Sequence, residues 1–372
     1  MKPESEAELA EIIPGLSEPV RIVGGGTRGV AGPEAELSTA RLRGITLYEP
    51  GALTVVARAG TPVVEIETAL AAENQQLAFE PADYRAVLGT SGEPTIGGVV
   101  AANISGPRRI QAGACRDFLL GVRFVDGRGQ VIKNGGRVMK NVTGYDLVKL
   151  MAGSWGTLGV LTEVSLKVLP KSETAATLVW EGRDWASTLK LFCDALGAPF
   201  EVSGAARLPE EGNQRARTVL RVEGFEDSVK YRVSKLLELF KDSGPDQVVT
   251  EPAENARVWG AVRNLKPFQG ASGNVWKTSV KPTDMTRVVN GSNPNRIIDW
   301  GGGLIWTLAP EGEDLREALD GIPGHSTLVR AARSEMEMMG RFQQEDAGIQ
   351  ALTQAIREKL DPRGLFNPGL MG

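Results

Sequence analysis

The sequence predicts an α+β protein of two domains, on three observations. At 372 residues the chain exceeds the usual reach of one hydrophobic core. Of its 45 glycines, 24 fall in the first 170 residues, at the ends of β-like runs, where a backbone approaches a neighbour closely or takes positive φ. After Leu169-Pro170-Lys171-Ser172 the texture changes to alternating strand and helix patterns.

Each element has its own signal. Strands are expected at 20–23, 54–58, 119–125, 131–132 and 162–168, with Asp126-Gly127-Arg128-Gly129 as the turn between the third and fourth. A helix is expected after Thr61-Pro62, read as N-cap and first-turn proline, with Val63, Ile66 and Leu70 on one face. Another follows Gly144-Tyr145-Asp146. The second part reads as a strand at 177–180, a helix at 185–192, a strand at 218–222 and a helix at 227–240. A last helix at 349–360 stops at Asp361-Pro362-Arg363-Gly364. The domains are therefore expected at 1–170 and 171–330, with a terminal segment 331–372.

Composition narrows the function. Hydrophobic residues make 41% and charged residues 24%, and the net charge is −4 with no long run of one sign, so neither nucleic acid nor a membrane surface is expected as partner. No apolar run reaches bilayer length and the start reads as a short helix rather than a signal peptide, so a cytoplasmic location is expected, with membrane association only through partner subunits. The two cysteines, Cys115 and Cys193, cannot hold an iron–sulfur cluster, and the single histidine, His325, cannot build a multi-histidine metal site. Any redox chemistry then rests on an organic cofactor.

Three glycine-rich segments are the candidate ligand loops. Gly24-Gly25-Gly26-Thr27-Arg28-Gly29 satisfies G-x-G-x-x-G, but Val30-Ala31-Gly32-Pro33 cannot continue as the helix that a Rossmann loop requires. The second runs from Pro94 through Thr95-Ile96-Gly97-Gly98 to Asn103-Ile104-Ser105-Gly106-Pro107-Arg108-Arg109. The third is Gly153-Ser154-Trp155-Gly156-Thr157-Leu158-Gly159-Val160. Loops that expose backbone N–H groups without Cβ bulk form anion concavities, to which Arg28 or Arg108 would add charge.

These loops, with Met139-Lys140-Asn141-Val142-Thr143-Gly144-Tyr145-Asp146 and Asp361-Pro362-Arg363-Gly364-Leu365-Phe366-Asn367-Pro368-Gly369, resemble the FAD-linked oxidases of the p-cresol methylhydroxylase and vanillyl-alcohol oxidase superfamily. Gly106-Pro107-Arg108-Arg109, Arg116-Asp117-Phe118, Asp299-Trp300-Gly301-Gly302 and Gly324-His325 narrow it to the E subunits of bacterial glycolate oxidases. The resemblance implies a two-lobed PCMH-type FAD-binding domain, an α/β cap domain, and a carboxyl-terminal FAD-linked-oxidase tail. It assigns Gly24, Gly25, Gly26, Thr27 and Arg28 to the first pyrophosphate loop. Thr95, Ile96, Gly97, Gly98, Asn103, Ser105 and Gly106 would hold the cofactor from the other side, with Gly159, Val160 and Asn367 completing it. Some relatives attach FAD through a histidine of the first loop; this chain has none there, so non-covalent FAD is expected.

The same resemblance implies a subunit of a complex that oxidises a small 2-hydroxy acid such as glycolate, beside a second FAD-linked oxidase subunit and an iron–sulfur subunit. The catalytic subunits of the superfamily that act on such acids carry histidine-rich, metal-binding motifs that this chain lacks. A self-sufficient hydroxy-acid oxidase and an assembly subunit with structural FAD are the alternatives. His325 is a candidate base or a hydrogen-bonded strand residue. Lys277 is a candidate partner for a carboxylate or reduced flavin, or a solvated strand lysine. Trp300 and Trp306, around Gly301-Gly302-Gly303, wall a pocket or simply pack.

Overall fold

The computed structural model describes residues 1–137, 144–289 and 293–371. Met139 to Thr143, and with them Lys140, lie outside the described residues. After a first helix, Glu6–Ile12, come β1 (Arg21–Val23) and β2 (Glu36–Ser38), which pair in parallel. There follow β3 (Ile45–Glu49), β4 (Thr54–Arg58), β5 (Gln75–Gln76), β6 (Leu119–Val125), β7 (Val131–Gly135), β8 (Val160–Lys167) and β9 (Leu169–Pro170). Five of these form an antiparallel sheet in the order β3-β4-β8-β6-β7. An antiparallel sheet is not a dinucleotide-binding Rossmann sheet, which is parallel.

Local chemistry sets these elements. The β6–β7 turn is closed by Asp126, whose Oδ1 accepts from the amides of Arg128 and Gln130, while Gly129 takes φ of 81°. The helix Val63–Ala72 buries Val63, Ile66 and Leu70 against the sheet. Its N-cap differs from expectation: Pro62 itself holds the cap position, with no side-chain cap. The Thr61 hydroxyl is used elsewhere, donating to the Arg58 carbonyl and accepting from the Gly44 amide. A larger difference is the second glycine segment, which contains the helix Ile96–Ala101 capped by Thr95. Asp146 caps the short helix Leu147–Met151 in the same way.

The second sheet has eight antiparallel strands: β10 (Thr174–Glu181), β11 (Gly204–Leu208), β12 (Arg217–Gly224), β13 (Gln247–Val249), β14 (Asn274–Val280), β15 (Arg296–Asp299), β16 (Leu304–Ala309) and β17 (Gly324–Arg330). Their order is β13-β10-β12-β11-β15-β16-β14-β17. Strand alternation gives the sheet two apolar faces. Leu178, Leu220, Ile298 and Ile305 pack with the helices Trp185–Gly197 and Glu226–Leu239. Val219, Val275, Ile297 and Trp306 face the other way and share one core with Val55, Phe79, Ile96 and Leu166 of the first unit. Lys277 of β14 and Trp306 of β16 lie on this shared face.

The tail returns to the first strand. The Val20 amide donates to the Leu365 carbonyl and the Asn367 amide to the Val20 carbonyl, while Leu365 and Phe366 pack with Leu9, Ile13 and Val125. Arg363 donates to the carbonyls of Ile13, Pro14, Leu16 and Gly127. Asp361 Oδ2 accepts from the Phe366 amide. The Asp361–Asn367 run is thus a docking clip.

Candidate functional site

A cavity of about 270 Å³ opens between the three glycine segments. Its wall takes Gly24, Gly25, Gly26, Thr27 and Arg28 from the first, Thr95, Gly97 and Gly98 from the second, and Trp155, Gly156 and Gly159 from the third. Among the described residues, none of the backbone amides from Gly24 to Gly29 donates to a protein acceptor. A run of free N–H groups on a cavity wall is a ready anion concavity, because unpaired donors are otherwise rare in folded chains.

The glycines are required by contact as well as access. A Cβ on Gly25 would stand 1.7 Å from the Glu93 carbonyl oxygen, and one on Gly24 would stand 2.2 Å from Thr95 Oγ1. A Cβ on Gly97 would stand 2.7 Å from that of Ala59. Gly26 has open space beside it but takes φ of 71°, where L side chains are strained. The first loop is therefore pressed against residues 93–95, with its amides turned outward.

Several expected residues stand behind the wall. Ile96 and Val160 are fully buried, and the Ile96 amide is spent on the Thr61 carbonyl. Asn103, at φ of 48°, accepts from the Arg116 amide, and Ser105 Oγ accepts from the Cys115 amide. Gly106 donates to the Phe79 carbonyl and accepts from Trp300 Nε1. Asn367 accepts from the Ile22 amide and donates to the Trp155 carbonyl, 2.8 and 2.7 Å away, fixing two parts of the wall. Arg28 spends both terminal nitrogens on the Ala82 carbonyl and lies 5.4 Å from the Tyr84 ring centre. Burial pulls its pKa down.

Arg108 does not face the cavity, contrary to expectation. It is held by Glu223 at 2.7 Å in a buried network where Arg221 pairs with Glu80 and Glu223. Despite its burial, Arg221 and Arg108 hold the Glu80 carboxyl down to about 2. Asp299, buried beside this network, is pushed up to about 8 by burial. Arg341, a residue the sequence reading missed, donates to the Gly29 carbonyl at 2.7 Å and lies 5.5 Å from the Trp155 ring centre. Burial lowers it to about 10.

Lys277, His325 and the two tryptophans meet on the shared face of the second sheet. Lys277 on β14 is paired in register with Trp306 on β16. Its Nζ lies 5.6 and 5.9 Å from the ring centres of Trp300 and Trp306. Arg109, also missed, stacks on Trp300 at 4.2 Å. Burial first, and then the Arg109 charge, lower Lys277 to about 8. His325 stands exposed at the start of β17, in register with Ser279, and its side chain makes no hydrogen bond among the described residues. Although solvent reaches it, partial burial of the ring, then the Lys277 and Arg109 charges, lower its pKa. A chain of contacts joins this cluster to the cavity loop: Trp306 packs on Tyr84 at 5.4 Å, and Tyr84 lies under Arg28.

Comparison with known proteins gives this arrangement a family. Residues 1–135 match the family described as FAD binding domain. The chain is 34% identical over 374 residues to the glycolate oxidase subunit GlcE of Escherichia coli (strain K12), covering 99% of this chain and 97% of that protein. The glycolate oxidase subunit GlcD of Bacillus subtilis (strain 168) is 45% identical over 85 residues, 23% of this chain and 18% of that protein. Among solved structures, alkyldihydroxyacetonephosphate synthase superposes with a TM-score of 0.71 at 13% identity, over 99% of this chain and 75% of that one, a likeness of fold alone. With its FAD-binding domain and its full-length match, the chain belongs to the family of glycolate oxidase E subunits among the FAD-linked oxidases.

Proposed function

We propose that this chain is the FAD-carrying E-type subunit of a 2-hydroxy acid oxidase complex acting on glycolate, beside a second FAD-linked oxidase subunit and an iron–sulfur subunit. The observation that carries the reading is the row of free amides from Gly24 to Gly29 on the cavity wall. That row suits a pyrophosphate, which needs several donors and close backbone approach. Thr95, Gly97 and Gly98 line the cavity beside it, and Trp155, Gly156 and Gly159 complete the wall. Asn367 and Arg341 hold the wall in place. In this reading residues 1–170 and 331–372 bind FAD, and 171–330 form the cap.

Bound FAD would supply the two-electron acceptor for oxidation of glycolate to glyoxylate. The chain's own residues orient and exclude water: the rings of Tyr84, Trp300 and Trp306 make an apolar wall, and Lys277 and Arg109 place positive charge along it. His325 is placed at the exposed edge, where it can exchange a proton with solvent. Cys115 is buried, with its thiol pushed up by burial, and Cys193 is exposed, so onward electron transfer through a cluster falls to a partner.

The test is flavin content. The purified chain should be yellow at one FAD per chain, with the flavin released to the supernatant by acid because no covalent link holds it. Gly98→Val should give folded, colourless protein, since its Cβ would meet only Thr95 Oγ1, at 3.3 Å, and Gly98 lines the cavity. Stoichiometric flavin in that variant would overturn the assignment. Anaerobic glycolate should bleach the flavin in the reconstituted complex and leave the isolated chain oxidised; bleaching of the isolated chain would mark a self-sufficient oxidase.

A further inference from the structure

We propose that Arg109 and Lys277, gathered around Trp300 with His325 at the mouth, form an anion site that takes the carboxylate of a small acid. Three groups able to carry positive charge converge here, and among the described residues no carboxylate pairs with Arg109 or Lys277. Asp117 attracts Arg109 from a distance but is engaged in capping the Ala114 amide. Both cationic heads are anchored to one indole ring, so they are no further apart than their two distances to it combined, 4.2 and 5.6 Å. Trp300 is itself fixed: its Nε1 donates to the Gly106 carbonyl and its amide to Asp299 Oδ1 at 2.7 Å.

Gathering like charges without a counter-ion costs folding free energy, and proteins retain such sites where a ligand supplies the missing charge. The planar guanidinium of Arg109 suits bidentate carboxylate binding, and the Lys277 ammonium adds a point charge. Two indole rings beside the Lys277 ammonium limit its hydration, which strengthens the pairing. His325 lies on the exposed side, so an acid enters past it from solvent. The proposal rests on the hydroxy-acid reading above and deepens it: this chain binds the acid end of the substrate itself, whichever subunit completes turnover. The same positive charge would also favour an anionic reduced flavin ring, so the test separates these two anions.

Oxalate, a non-oxidisable two-carbon diacid, is the probe, titrated into the FAD-loaded chain by calorimetry with glycolamide as the uncharged control. Oxalate should bind at one site and glycolamide should not. Arg109→Met and Lys277→Met should each weaken oxalate at least tenfold while keeping one FAD per chain, and Lys277→Arg should restore most of it. Oxalate should also protect Lys277 from an amine-acylating reagent, read by mass spectrometry on the unmodified sequence. Unchanged oxalate affinity in both Met variants, or no protection of Lys277, overturns the site. So does a shift in flavin reduction potential with oxalate binding intact, which would assign the charge to the flavin. Colourless wild-type protein would instead refute the cofactor reading, so the two fail separately.

Discussion

Arg108 and Arg109 are neighbours in sequence and opposites in surroundings. Arg108 enters a buried network with Glu80, Arg221 and Glu223, in which two cations meet two carboxylates. Arg109 turns the other way, onto Trp300 beside Lys277, where no carboxylate among the described residues pairs with it. The first cluster joins the two sheets, because Glu80 and Arg108 come from the first unit and Arg221 and Glu223 from β12. Balanced charge there is structural. Unbalanced charge a few residues away is available to a ligand.

The contrast can be broken most forcefully on the balanced side. Arg221→Met leaves Glu80 buried with one cation fewer, and unfolding experiments should show a loss of about 3–5 kcal/mol. Asp299 sharpens the same side. Its carboxyl is raised to about 8 by burial, so the folded state keeps a proton that the unfolded chain releases near pH 4. Native stability is therefore drained as pH climbs from about 4 through about 8. Asp299→Asn keeps the acceptor for the Trp300 amide and removes that drain. Its unfolding free energy should exceed wild type by a margin that grows across this window, reaching about 1–3 kcal/mol at pH 9, with a correspondingly higher melting temperature. A variant melting below wild type at pH 9 would refute the buried acid.

On the unbalanced side the effects are smaller. Lys277 is lowered to about 8 by burial and by Arg109, with His325 as the other titrating neighbour. An anion binds its protonated form, so oxalate affinity should fall as pH rises above about 8, by up to about tenfold per pH unit, in a calorimetric pH series. The smallest effect is on folding: Lys277→Met removes a like charge from Arg109 and should leave stability unchanged or higher by about 1 kcal/mol. A loss above about 2 kcal/mol would mean Lys277 is paired after all.

The division between legible and hidden features follows the same line. Glycine segments were legible because close approach leaves a local mark, and the missing helix after Gly29 excluded a Rossmann loop before any geometry was known. Helix Ile96–Ala101 was hidden by its two glycines, which are poor helix formers, although Thr95 ahead of them is an N-cap signal. The roles of Arg108 and Arg109 were hidden for a different reason. Adjacent side chains diverge, and which one meets acid depends on β12 arriving from over 100 residues away. Lys277 was legible as a candidate, whereas its aromatic box depends on the register between β14 and β16.

The Asn367 clip has a consequence for biosynthesis. Its side chain holds the Ile22 amide across a separation of 345 residues. Strand β1 and the wall of the cavity therefore wait, during translation, for residue 367 to leave the ribosome. A nascent chain stalled at residue 360 would have both sheets available yet lack the last partner of its first strand. At the proposed site, cofactor loading would then follow synthesis of residue 367, and a chain cut short of it should carry no flavin.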